Sequence, residues 1–426
     1  MNGPHAAGAG RARPPAPSAV AGDGEMARAA VSRSGDGAAR PAAPNTVTGG
    51  DEAAHAVTST SGDETARPAP PGAVCGGGGA ARGAVSRAGA GRPVAGGEAS
   101  PTAASWPPAD GTVVCVGETM AALAPEPPAS LDTGESLRLS VAGAESNVAM
   151  YLADLGVSAV WLSALGDDPF GRRVRTAVAA ANVDVSGVRS DPHRPTGLLV
   201  KDPGPTGTRV HYYRRGSAAS ALGPELLDDP RLGSAALVHL TGVTPALSPS
   251  CGALVERALA TPPADRTHAI SFDVNHRPAL WPDGTAATVL RALADRADIV
   301  FVGLDEAQHL WGADLDAGGV RELLPRPRLL VVKDGGRAAT AFGDGPEVTV
   351  PAPRAEVVEP VGAGDAFAAG FLAGLLRGGA LTSALRLGHI TAGSALRVTG
   401  DHGPLPDAAT VERLLGLTER AWAARA

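Results

Sequence analysis

Gly362-Ala363-Gly364 stands directly before Asp365 in the stretch Val357–Leu376, VVEPVGAGDAFAAGFLAGLL. Small residues at a helix entry let successive backbone N–H groups converge on an anion at the positive helix end. An aspartate there suits a base that takes a hydroxyl proton while the amides stabilise charge growing on a transferred phosphoryl group. The alternative is that Asp365 merely caps the helix. A dinucleotide loop fits poorly, since the full GxGxxG is missing and the stretch lies near the C-terminus rather than after a first strand. Lysine occurs only twice, as Lys201 and Lys333, and neither follows the glycine loop of GxxxxGK[ST]. Neither HRD nor DFG accompanies Lys333, which disfavours a protein kinase. Backbone amides, arginines and a metal are left to hold any phosphate.

The elements that must carry these residues alternate. TVVCVG (Thr112–Gly117) is a short apolar run ending in glycine, as a strand buried on both faces would be. ESNVAMYLADLG (Glu145–Gly156) has helical spacing, with Val148, Tyr151, Leu152 and Leu155 on one stripe and Gly156 as its stop. VSAVWLSALG reads as the next strand and GRRVRTAVAAANV as the next helix. AALVHLTG, HAISFDVN, ADIVFVG and RLLVVKDGG are further strand-like runs between helical segments. This predicts βαβ units, an α/β fold with a mainly parallel sheet covered by helices. Residues 136–143 and 197–216 break the alternation and read as exposed strands, a small β lid over a site at the strand ends.

Composition sets the bounds. The 426 residues carry a net charge of −7 and no basic cluster, which argues against nucleic acid as a partner. No apolar run is long enough to span a bilayer, and no targeting segment is evident, so the expectation is a cytoplasmic protein without a membrane partner. Cys75, Cys115 and Cys251 are too scattered for a disulfide framework or a metal knuckle. Up to about Trp106 the chain is mainly Ala, Gly, Pro, Ser, Thr and Arg with scattered acids, with AVSR repeated and no apolar periodicity. Residues 1–108 therefore read as a disordered extension and 109–426 as one large domain.

The glycine–aspartate stretch resembles the C-terminal signature of the ribokinase-like (PfkB) carbohydrate kinases, Asp-Thr-x-Gly-Ala-Gly-Asp. AGAESNVAMYLADLG (Ala142–Gly156) is similar to the family's N-terminal glycine motif, and SALGDDPFG (Ser163–Gly171) to the strand–turn after it. Within that family VGETMAALAP, HYYRRGSAASAL, LTGVTPALSP and DVNHRPALW resemble the 2-keto-3-deoxygluconate kinases. The resemblance implies a three-layer αβα sandwich and phosphorylation of a sugar or sugar acid by ATP with Mg²⁺. It also allows a monovalent cation, and the exposed edges of the lid strands predict a homo-oligomer formed through the lid. Asp365 would be the base, and Gly362, Ala363 and Gly364 the anion hole. Gly143, Asn147, Tyr212, Arg214 and Arg277 would meet the sugar acid, Lys333 and Gly335 the nucleotide, and Glu306 the metal. An arginine fork matches a carboxylate with two charge-assisted hydrogen bonds. The chain departs from the family at Glu359-Pro360 for Asp-Thr, at Ala142 for glycine, at Leu199 for a tyrosine, and at Gly303 for the asparagine of Asn-x-x-Glu. The rival readings are a neutral-sugar kinase of the fructokinase or ribokinase type and a non-catalytic sugar-binding regulator.

Overall fold

The structure, a computed structural model, describes residues 111–126, 129–204 and 207–426. The expected N-terminal extension, residues 1–108, lies outside the described residues, as does Cys75. Chain order begins with β1 (Thr112–Val116), β2 (Met120–Pro125), β3 (Leu137–Ala142), β4 (Ala159–Leu162), β5 (Ala164–Gly166) and β6 (Arg189–Asp191). It continues with β7 (Leu198–Gly204), β8 (Gly207–Tyr213), β9 (Ala235–Thr241) and β10 (Ala269–Asp273). The last strands are β11 (Ile299–Gly303), β12 (Leu329–Asp334), β13 (Ala338–Phe342) and β14 (Val348–Pro351).

Eight strands form the central sheet in the order β14-β13-β12-β11-β10-β9-β1-β4. The run from β4 to β12 is parallel, and β13 and β14 close it as antiparallel hairpins. Strands such as β11, IVFVG, are buried along their whole length, which is why they read as continuous rather than alternating apolar runs. One face packs on the helices Ala144–Asp154, Ala363–Leu376 and Leu381–Ala395, around Trp161, Phe301 and Phe371. The other packs on Pro249–Ala258, Ala286–Ala294 and Leu304–Trp311, around Leu240, Phe272 and Leu290. The three-layer αβα sandwich is therefore present.

The lid is a separate sheet in the order β3-β2-β7-β8. Both predicted lid segments are in it. A third contributor, β2, was not anticipated; it pairs antiparallel with β3 and parallel with β7. The stretch expected as one strand, VSAVWLSALG, breaks at Ser163: β4 stays in the central sheet, while β5 pairs with β6 in a two-stranded ribbon.

Candidate active site

Strand ends and helix starts converge where the central sheet meets the lid. The helix Ala363–Leu376 is apolar on all sides and almost wholly buried, so only its N-terminus is available for chemistry. Gly362 is its N-cap at φ +87°, a left-handed conformation that favours glycine. A Cβ there would also lie 2.8 Å from the Asp401 carbonyl oxygen. Asp365 sits in the third helical position, and Gly362 provides no side-chain cap. The capping alternative for Asp365 fails on this geometry: its carboxylate turns away from the helix amides toward two asparagines.

Asn147 Nδ2 donates to Asp365 Oδ2 at 2.9 Å, and Asn275 Nδ2 donates to Oδ1 at 3.3 Å. Asn147 does not cap its helix either; Gly143 occupies the N-cap, pressed so closely on Glu118 and Thr119 that a Cβ would meet the Glu118 carbonyl at 2.5 Å. The Oδ1 atoms of Asn147 and Asn275 are buried with no hydrogen-bond donor from the protein. Two oriented acceptors thus flank the carboxylate, as a bound polyhydroxy ligand would require. Burial pushes the Asp365 pKa up to about 7, against the lowering effect of the Asn147 hydrogen bond; Asp273 and Asp401 push it further, and Arg277 opposes them. A carboxyl poised there can exchange a proton near neutral pH.

Lys333, on β12, donates from Nζ to Asp273 Oδ2 at 2.7 Å. Burial works against its charge, but Asp273 and Glu306 more than offset it and raise its pKa. A Cβ on Gly364 would stand 3.4 Å from Lys333 Nζ, so the ammonium borders the glycine turn. Gly335, at φ +52°, makes the turn between β12 and β13. Glu306 accepts from Gly303 N–H at 2.9 Å and from His276 N–H at 3.1 Å, fastening the start of its helix to the loop after β10. Burial and the neighbouring Asp273 raise its pKa. Such an acidic pair beside the glycine turn has the hard oxygen donors that would hold a divalent ion. Among the described residues no group of three or more His, Cys, Asp or Glu side chains forms a metal centre of its own.

The two arginines differ. Arg214, expected at the substrate carboxylate, is buried and bonded to Glu118: Nε lies 2.6 Å from Oε2 and Nη2 contacts the same oxygen. Ser217 Oγ donates to Oε1 at 2.5 Å. Arg214 also stacks over Tyr212, 5.5 Å from the ring centroid. Arg277 is freer, with its side chain 41% exposed; Nη1 donates to the His276 carbonyl at 3.0 Å and lies 3.6 Å from Glu306. Leu199 is buried in the small lid core with Met120, Ala122 and Ala142.

All the site residues singled out from the sequence border one cavity of about 1020 Å³, more than a single small ligand fills. Sequence reasoning missed Asp273, Asn275, Glu118 and Asp401 in the same wall. Asp273 and Asn275 lie inside DVNHRPALW, where polar residues ending a buried strand were the available signal.

A sequence profile described as pfkB family carbohydrate kinase matches residues 110–408. The 2-dehydro-3-deoxygluconokinase of Thermoproteus tenax is 34% identical over 310 residues, 71% of this chain and 94% of that protein. The 2-dehydro-3-deoxygalactonokinase of Haloferax volcanii is 33% identical over 309 residues, 71% of this chain and 96% of that protein. A solved protein described as a ribokinase II of E. coli, in complex with ATP and Mg²⁺, superposes with a TM-score of 0.65. It is 21% identical, covers 72% of this chain and 99% of its own, and so speaks to the fold alone.

Proposed function

The chain belongs to the pfkB family of carbohydrate kinases, and on that footing we propose that it transfers the γ-phosphoryl group of ATP to 2-keto-3-deoxygluconate or its galactonate epimer. One observation carries the reading. Asp365 is buried, poised near neutral pH and gripped by two asparagine amides immediately behind the Gly362 turn. The sugar's terminal hydroxyl donates its proton to Asp365 as it attacks in line. First-turn amides of Gly364 and Asp365, which have no acceptor within the helix, stabilise the charge on the transferred group. Lys333 adds a positive charge beside that turn. Asn147 and Asn275 accept from sugar hydroxyls through their free Oδ1 atoms. Arg277 meets the substrate carboxylate, while Arg214, held by Glu118, shapes the wall through Tyr212. ATP and Mg²⁺ bind on the side of Gly335, Glu306 and Asp273; Mg²⁺ supplies neutralisation of phosphate charge.

Residues 109–426 form the kinase domain in this reading and 1–108 an appended extension, in keeping with a family match that begins at residue 110. Exposed Leu137 and Tyr213 on the lid support pairing of two subunits through it. A requirement for a monovalent cation is left to a potassium titration of turnover. ADP release by the purified protein, screened over sugars and sugar acids with isolation of the phosphorylated product, tests the assignment. Acid-dependent ADP release without a phosphorylated acid would defeat it.

A further inference from the structure

Only two of the 37 basic residues are lysine, and one of them, Lys201, is buried in the lid. A buried ammonium is costly unless paired, so its partners are informative. Its Nζ donates to Asp401 Oδ1 at 3.0 Å and to the Thr399 carbonyl at 3.4 Å, and lies 3.9 Å from Glu359 Oε2. The side chains of Lys201, Asp401 and Glu359 are all at most a tenth exposed.

Asp401 and Glu359 bracket the anion turn. The Asp401 backbone packs against Gly362. Its Oδ2 accepts from Asn147 Nδ2 at 3.4 Å, the same nitrogen that donates to Asp365 at 2.9 Å. Glu359 Oε1 accepts from Val361 N–H at 3.4 Å, one residue before Gly362, and its Oε2 accepts from Thr208 Oγ1 on β8 at 3.3 Å. One unbroken line of contacts therefore runs from lid strand β7 through Asp401 and Asn147 to Asp365, with a branch to the turn.

We propose that Lys201 is a positioning residue that couples the lid to the base and to the anion turn, by neutralising Asp401 and fixing the side chain that shares Asn147 with Asp365. The inference rests on the kinase reading above. Its consequence is electrostatic as well as geometric. Asp365 faces Asp273 from β10, Arg277 from the loop after it, Tyr151 from the helix Ala144–Asp154, Lys333 from β12 and Asp401 from the C-terminal loop. Of these, Asp401 is the carboxylate in contact with the lid ammonium. Without Lys201 its negative charge acts on Asp365 unopposed and favours the protonated, inactive base.

The test is the pH dependence of kcat/KM for the sugar acid in four proteins: wild type, Lys201→Met, Asp401→Asn and the double variant. Lys201→Met should move the acid limb upward by about half a unit and lower kcat roughly 10- to 100-fold. Asp401→Asn should move the limb downward, and adding Lys201→Met to it should bring the limb back up. The last comparison stands even where Lys201→Met alone fails to fold, because the double variant removes both charges of the Lys201–Asp401 pair and leaves Glu359 its hydrogen bonds from Thr208 and Val361. A limb at the same pH in every folded variant overturns the coupling while leaving the kinase intact. Absence of sugar-dependent turnover in the wild type would instead strike the kinase reading itself.

Discussion

Asn147 and Asp365 stand 218 residues apart in the chain and meet through a 2.9 Å hydrogen bond from Nδ2 to Oδ2. That bond points the carboxylate into the cavity and leaves Asn147 Oδ1 as an acceptor beside it. Asp365→Asn keeps the shape and removes the proton acceptor. Turnover should fall ~10²–10⁴-fold, while the sugar-acid dissociation constant, measured by calorimetry, changes only a few-fold. Near-normal kcat in this variant would show that Asp365 is not the base.

The raised pKa of Asp365 makes a separate prediction about pH. Its folded value of about 7 lies above the ordinary carboxylate value. Its contribution to stability is therefore present below about pH 4 and lost as pH rises through about 7. Between pH 5 and pH 8 the ligand-free wild type should lose more melting temperature than Asp365→Asn does. The acid limb of kcat/KM should fall near pH 7. Parallel melting curves for the two proteins across that range would contradict the burial argument.

Arg214 and Arg277 should separate stability from recognition. Arg214→Leu leaves the Glu118 carboxylate, whose side chain is 1% exposed, with only Ser217 as a side-chain partner. Denaturant unfolding should show a loss of about 3–5 kcal/mol. Arg277→Leu, at a half-open position, should leave stability nearly unchanged and weaken the sugar acid by about 2–5 kcal/mol. The opposite pattern would restore Arg214 as the carboxylate contact.

Gly303 stands where the family's Asn-x-x-Glu has its asparagine. Its φ of −71° suits any residue; an added Cβ would press first on the movable end of Asp305, at 2.6 Å, and then on Glu306 at 3.1 Å, which must give by a few tenths of an ångström. Gly303→Asn should therefore fold normally and turn over as fast or faster at limiting Mg²⁺. A collapse of activity in a folded protein would show that the metal side is arranged differently.

Local patterns carried much of this in the sequence. The buried parallel strands, the glycine turn and its aspartate, and the helix bearing Asn147 each follow from short-range periodicity or composition. What the chain hides are partnerships between distant residues. Nothing near Arg214 announces Glu118, 96 residues away, or near Lys201 announces Asp401, 200 residues away. The lid role of β2 was hidden because MAALAP, rich in alanine and ending in proline, has neither alternation nor a β-branched run to mark it as a strand. Asn275 adopts φ +39°, a turn that swings its amide onto Asp365 and that no spacing rule foretells.

The central claim is a kinase whose substrate is a sugar acid, and kcat/KM of the wild-type protein for 2-keto-3-deoxygluconate against fructose, by ADP release at saturating ATP and Mg²⁺, tests it most directly. A carboxylate that must trade hydration for Arg277 gives the acid an advantage of at least about tenfold, and Arg277→Leu should erase most of it. Equal rates on the two sugars, or a preference for fructose, would contradict the account.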